Sequence, residues 1–387
     1  MAFSRGRKVM MVAGEASGDL HGSGVVRAVR ARAPQIRLYG IGGPQMQEAG
    51  FQPLFDGKDM GVTGFVEVAS RLFTYIRMYR GLKRMLREDP PDLLVLIDFP
   101  EFNMRLATHA KRAGVPVLYY ICPQLWAWRP GRVRKLARIA DRHLVIFPFE
   151  VDFYRQAGLT VEYVGNPLLE VVHAGLGREE ALAKLGLEGN NRIIGLMPGS
   201  RRNEVKRILP KMVQTAKLIK DRLKKVEFFL PLAPGLDLSF VGQLLAHSPV
   251  PVVLVEKFCY DAINLADLVI VASGTATLEA ALLATPMVMV YEVSPITYAL
   301  GIRLLNVQEY SLANLILGKR VVPELTQRQF TPESTCEKAL ELLGDPELYR
   351  NTVTELRRAM EILGPGQASI RVAEIVCQMS GSGTANL

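Results

Sequence analysis

The sequence predicts an α/β protein built from two Rossmann-like, doubly wound domains facing each other across a cleft. Three observations carry that expectation. Short continuous apolar runs alternate with longer helical patterns; the alternation breaks at a Gly- and charge-rich connector and then restarts; small, polar or charged residues follow the apolar runs. Continuous apolar strands separated by helices mean parallel sheets covered on both faces.

In the first half the strand-like runs are "KVMMVAG", "IRLYGIGG", "DLLVLIDF", "VPVLYYI", "RHLVIFPF" and "TVEYVG". The connector near 166–190 holds one short helix. The pattern resumes with "RIIGLMPGS", "VEFFLPLAP", "VPVVLVEK", "DLVIVASG" and "PMVMVYEV", and from about residue 331 the chain reads as helix. The domains expected are 1–166 and 167–364, with 365–387 a terminal helix that packs back on the first domain or on a partner subunit.

Bulk numbers narrow the class. A chain of 387 residues with 49% hydrophobic content can bury two cores. A net charge of +9 suits an anionic partner: nucleic acid, a lipid surface or a phosphorylated small molecule. The four cysteines lie far apart, without C-x-x-C, which argues against zinc or a disulfide framework and fits a reducing compartment. The first apolar run is too short for a signal peptide, and no run reaches the length of a spanning helix.

In open parallel sheets, ligands bind beyond the carboxyl ends of the strands. The first run ends in "AGEASGDLHGSG", which is not G-x-G-x-x-G, and the second carries no acid for a ribose; a nicotinamide dinucleotide is disfavoured. Glu15 and Ser17 then line the cleft floor, unless Ser17 or Asp19 simply caps the following helix. Asp98, after "LLVLI", either accepts a proton from a substrate hydroxyl or caps the helix that Pro100 opens. In "GLMPGSRRNEV", Arg201 and Arg202 start a helix, where cations oppose the macrodipole unless an anion is bound. The turn Ser273-Gly274-Thr275 offers amides and hydroxyls for phosphate oxygens, and Glu279, one turn on, can accept both hydroxyls of a ribose. The alternative there is an N-cap with close packing. No D-x-D or histidine cluster suggests a metal, so departing phosphate charge falls to fixed donors and arginine.

Two further stretches stand apart. Over 61–87, Val68, Leu72, Tyr75, Ile76, Tyr79, Leu82 and Met85 share one helical face, with arginines near the other. This fits an interfacial helix or ordinary packing on the sheet. Trp126 and Trp128 precede a basic helix, but basic residues and aromatics are not interleaved repeatedly, and nucleic acid is not expected.

Together, "AGEASGD" (13–19), "GIGGPQM" (40–46), "GVTGFVEV" (61–68), "IDFPEFN" (97–103), "QLWAWR" (124–129), "YVGNPL" (163–168), "PGSRRNEV" (198–205), "ASGTATLE" (272–279) and "SLANLILGKRVVPELTQ" (311–327) closely resemble the lipid-A-disaccharide synthases, glycosyltransferases of the GT-B fold. Asn166 departs from a common His, and Glu101 from a common Asp. The resemblance implies joining UDP-2,3-diacylglucosamine to 2,3-diacylglucosamine 1-phosphate, giving a β-1,6-linked disaccharide 1-phosphate and UDP, by inversion and without cofactor or metal. It makes 1–166 the acceptor- and membrane-facing domain and 167–364 the UDP-sugar domain. It implies a cytoplasmic enzyme held peripherally at the inner membrane of a Gram-negative bacterium, in lipid A and lipopolysaccharide synthesis, with a homodimer through the terminal segment as an option. The implied catalytic residues are Asp98, Arg201 and, as the other candidate base, Glu15. Substrate contacts are implied for Ser17, Asn103, Trp128, Asn166, Ser200, Ser273, Gly274, Thr275, Thr277, Glu279, Glu309 and Asn314. Acyl or membrane contacts fall to Val66, Val68, Leu72, Phe73, Tyr75 and Ile76. The rivals are a UDP-sugar 2-epimerase on the same fold, which needs no acceptor, and a non-catalytic lipid-binding adaptor.

Overall fold

In a computed structural model the chain divides into two compact units, Met1–Glu170 with Pro365–Leu387, and Val171–Gly364. The structure describes residues 6–14, 16–55, 65–128, 130–293 and 309–381, apart from the side chains of 16, 65–73, 127, 128 and 130.

The first unit is built on a parallel sheet of seven strands: β1 (Lys8–Ala13), β2 (Arg37–Ile41), β3 (Gln52–Pro53), β4 (Leu93–Ile97), β5 (Val117–Tyr120), β6 (Arg142–Val145) and β7 (Glu162–Tyr163). Their order is β3-β2-β1-β4-β5-β6-β7. The second unit carries β8 (Arg192–Met197), β9 (Val226–Pro231), β10 (Val252–Val255), β11 (Leu268–Ala272), β12 (Met287–Tyr291) and β13 (Glu324–Thr326), in the order β10-β9-β8-β11-β12-β13. Every pairing is parallel, and the central strands β4 and β11 are buried along their whole length, as sheets covered on both faces require. Two strands escaped the sequence pattern. β3 and β13 have only two and three residues and lie in "FQPLF" and "VPELTQ", stretches that proline and polar residues interrupt.

In each sheet the winding reverses between two neighbours, β1 and β4 in the first and β8 and β11 in the second. Ala13 is paired with Ile97, and Val271 with Met197, so the chain leaves both strands of each pair side by side. Loops that depart in opposite directions open a crevice at such a point.

Helix α1 (Ala16–Arg32) follows β1, and α2 (Pro44–Glu48) follows β2; in chain order come α3 (Phe65–Glu88), α4 (Pro100–Arg112), α5 (Leu125–Trp128), α6 (Val133–Ile139), α7 (Pro148–Gln156), α8 (Arg178–Leu185), α9 (Arg202–Arg222), α10 (Leu238–Leu245), α11 (Cys259–Leu265) and α12 (Thr275–Leu282). Asp19 does not cap its own helix. Its buried carboxylate accepts the amides of Gln45 and Met46, both at 3.0 Å, and so caps α2. At the far end of the chain a helix over Ala368–Met379 packs on α1 within the same unit. Its start is fixed by Glu170, which accepts from the Ser369 amide at 2.8 Å and hydroxyl at 2.5 Å.

Asp19→Ala is expected to cost about 1–3 kcal/mol, because two buried amides lose a charged acceptor. Denaturant unfolding checks it; a change within about 0.5 kcal/mol would contradict the cap.

Candidate active site

At the β1/β4 crevice the backbone is held in an unusual path. Asp98 and Phe99 both have left-handed φ, 48° and 50°, and Ile121, just past β5, has 59°. Such residues cost about 1–2 kcal/mol each and persist only where the surroundings fix them. Here the surroundings do so. The Asn103 side-chain amide donates to the Asp98 carbonyl at 2.7 Å, the Tyr119 hydroxyl donates to the same oxygen at 3.2 Å, and the Asp98 amide donates to the Tyr120 carbonyl at 3.1 Å. The half-buried Asp98 side chain is thus carried on a backbone held by three hydrogen bonds. Phe99 lies flat over the end of β1: a Cβ on Gly14 would overlap its ring. That contact joins "AGEASGD" to "IDFPEFN" in space.

Helix α3 (Phe65–Glu88) splits the amphipathic reading in two. Met78, Leu82 and Leu86 are buried in the sheet core, with Tyr79 and Met85 packed beside them. One turn earlier, Tyr75 and Ile76 are 36% and 39% exposed. The Tyr75 ring lies 5.8 Å from Phe99 and 6.4 Å from Phe102, and Phe99 stacks on Phe102 at 5.1 Å. An aromatic shelf thus flanks Asp98. Glu15, and the side chains of Val66, Val68, Leu72, Phe73 and Trp128, lie outside the described residues.

Two asparagines expected at the substrate have other work. Asn103 is wholly buried: its NH2 donates to main-chain carbonyls, that of Asp98 among them, while its side-chain oxygen has no partner among the described residues. Asn166 is equally buried: its amide donates to Ile146 at 3.2 Å and its oxygen accepts the Leu168 amide at 3.0 Å, which ties the chain past β7 to the end of β6. Glu101, the other departure, pairs with Arg132. Ser17, in the first turn of α1, is half-buried.

Glu150 escaped the sequence reading altogether. It opens the helix over Pro148–Gln156 and accepts from the Trp126 indole at 3.1 Å and from the Ile146 and Phe147 amides at 3.3 and 3.1 Å. Burial raises its carboxyl from an ordinary 4.5 to about 7, the Asp98 charge pushing the same way against those three donors.

At the β8/β11 crevice, Gly199 (φ 107°) turns the chain after β8, Ser200 is exposed, and Arg201 caps α9 (Arg202–Arg222), with Glu204 at 3.4 Å from its guanidinium. Beyond β11, Gly274 has φ 141°, a conformation that only glycine adopts readily, and it opens α12 (Thr275–Leu282). Gly274 and Thr275 are exposed. The flanking hydroxyls of Ser273 and Thr277, expected at the substrate, both donate within the protein. The Ser273 hydroxyl donates to the Tyr310 carbonyl at 2.9 Å and its amide to Val290 at 3.0 Å. Thr277, fully buried, donates to the Gly274 carbonyl at 2.8 Å and accepts the Leu312 amide at 3.1 Å. What the bend presents is the start of α12, where helix amides lack intrahelical partners, with the Thr275 side chain beside them.

Glu279 is one turn further along, with the Tyr260 hydroxyl at 3.4 Å. Burial raises its pKa, and the Tyr260 hydrogen bond offsets part of that. Asn314, expected at the donor, is wholly buried and spends both ends of its amide on Val321, Val322 and Glu324. Glu309 accepts from Arg320 at 3.1 Å. Among the described residues no group of three His, Cys, Asp or Glu side chains could hold a metal ion, and no helix is long and apolar enough to cross a membrane.

Two parallel sheets, each reversing at its centre, are the architecture of the GT-B fold. Solved structures agree over almost the whole chain. A UDP-GlcNAc 2-epimerase from Neisseria meningitidis, bound to UDP-GlcNAc, is 13% identical with a TM-score of 0.65, covering 96% of this chain and 100% of its own. The calicheamicin glycosyltransferase CalG4 is 16% identical with a TM-score of 0.62, covering 99% and 100%. The chain belongs to the lipid-A-disaccharide synthetase family, whose model matches residues 9–373. The lipid-A-disaccharide synthase of Geobacter metallireducens is 46% identical over 381 residues, 98% of this chain and 99% of that one. The activity is accordingly glycosyl transfer in lipid A biosynthesis, on lipid A precursor sugars.

The proton on Glu150 makes a pH prediction. The folded chain binds it more tightly than the unfolded chain, so the stabilisation it brings is complete below pH 4.5 and is lost as pH rises through about 7. Glu150→Gln keeps the neutral form at every pH. Its unfolding free energy, followed by thermal or denaturant melts, should gain on that of the wild type between about pH 4.5 and about pH 7, by on the order of 3 kcal/mol at most. A difference independent of pH would contradict the buried carboxyl.

Proposed function

We propose that the chain transfers the sugar of UDP-2,3-diacylglucosamine to the 6-hydroxyl of 2,3-diacylglucosamine 1-phosphate, with inversion, releasing UDP and using neither metal nor cofactor. Asp98 takes the hydroxyl proton as the oxygen attacks the anomeric carbon. The bond from that carbon to the phosphate oxygen breaks, and its electron pair leaves with UDP. The Gly274–Ala276 amides, the Thr275 hydroxyl and the Arg201 guanidinium stabilise the departing charge, and Glu279 holds the ribose. Ser17 and Ser200 contact substrate, with Glu309 beside the donor, and Glu15 remains the second candidate base.

The observation that carries this reading is the left-handed Asp98, clamped by Asn103 and Tyr119 at the first crevice. A carboxylate that only capped a helix would not need its backbone bent and held in that way. The aromatic shelf of Tyr75, Phe99 and Phe102 supports an acylated acceptor beside it. Exposed Tyr75 and Ile76, with the basic residues of the same helix, support peripheral attachment to the cytoplasmic face of the inner membrane.

Asp98→Asn should lower kcat at least about 10²-fold with both lipid substrates present. Near-normal turnover would return Asp98 to helix capping and move the base to Glu15. Arg201→Ala should lower kcat at saturating donor, whereas a rise in KM alone would restrict Arg201 to ground-state binding. In the same assay, a new sugar nucleotide formed from donor alone would favour an epimerase, and loss of product with chelator that is restored by magnesium would contradict the metal-free route.

A further inference from the structure

We propose that Glu324 is the positioning residue of the donor turn: from β13 its carboxylate fixes the 310–314 segment, and that segment holds the two sides of the Gly274 bend. This rests on the reading of that bend as the UDP site.

Three donors converge on the one carboxylate. The Tyr310 amide reaches Oε2 at 2.8 Å, and the Ser311 amide and Asn314 side-chain amide reach Oε1 at 2.9 and 2.8 Å. The Asn314 oxygen in turn accepts the Val321 and Val322 amides at 2.8 and 3.0 Å, closing the loop back to the strand that carries Glu324. The far side of the segment is the part that matters for the ligand. The Tyr310 carbonyl receives the Ser273 hydroxyl at 2.9 Å, and the Leu312 amide donates to Thr277 at 3.1 Å. Thr277 then fixes the Gly274 carbonyl at 2.8 Å. Ser273 and Thr277 bracket the exposed Gly274 and Thr275, so the bend is held on both sides by main-chain groups that Glu324 positions.

The residue type follows from the donors. A carboxylate is acceptor-only and has two oxygens, which suits three N–H groups, and charge-assisted bonds of this kind are about twice as strong as neutral ones. A glutamine would turn its own NH2 toward one of them. Glu324 touches no ligand in this scheme. It sets where the helix-start amides of α12 point, and a shift of about 1 Å there is enough to cost a large factor in a preorganised site.

The test is UDP binding by titration calorimetry, with donor and acceptor KM and thermal unfolding, on wild type, Glu324→Gln and Glu324→Asp. The account expects Glu324→Gln to weaken UDP and raise donor KM by about ten-fold or more while leaving acceptor KM unchanged, with Glu324→Asp in between. Unchanged UDP affinity and donor KM, with only a lowered melting temperature, would overturn the positioning role. A wild type that does not bind UDP would instead sink the donor reading and this proposal with it. Should Glu324→Gln fail to fold, Thr277→Val removes only the Leu312 contact and the Gly274 tie, and it must weaken UDP in the same sense; wild-type affinity in that variant overturns the coupling.

Discussion

The structure depends on one topological constraint, the reversal of winding at the middle of each sheet. Parallel strands must be joined by crossovers, and crossovers that begin at neighbouring strands and depart to opposite sides leave the strand ends uncovered between them. In the first unit this exposes the chain after Ala13 and Ile97; in the second, the chain after Met197 and Ala272. Asp98, Arg201 and the Gly274 bend are close to their respective reversals because they follow those strands directly. The order of strands thus sets where these candidate residues stand.

Around both crevices the same division of labour recurs. Residues that face solvent are few, and a larger number of buried polar groups hold them. Asn103 and Tyr119 hold Asp98, Asn314 and Glu324 hold the segment behind the bend, and Glu150 holds Trp126. Each is buried or half-buried with its hydrogen-bonding capacity directed largely at main-chain atoms, so removing one strands a partner inside the protein.

That division explains what was legible in the sequence. The strands were readable because continuous apolar runs have few other uses, and the strand-end rule led directly to Asp98, Arg201 and Gly274. Asn103, Asn166, Thr277 and Asn314 were read as substrate contacts, whereas the structure shows each of them bonded within the protein. A polar residue in a dense motif looks the same whether it meets a ligand or a carbonyl, and only burial separates the two. Glu150 and Glu324 were overlooked because one lies inside the first turn of a helix and the other in a strand of only three residues. The α3 stripe was read as one face, whereas Met78 and Leu82 enter the core and Tyr75 and Ile76 do not, a divergence that appears only once the helix is laid against its sheet.

The central claim is that peptide amides at the start of α12 receive the pyrophosphate of UDP. Amide chemical shifts on adding UDP to isotope-labelled protein in magnesium-free buffer measure this directly. The account predicts the largest changes at Gly274, Thr275 and Ala276. Shifts confined to other strand ends, or shifts at the bend that arise only after magnesium is added, would contradict it.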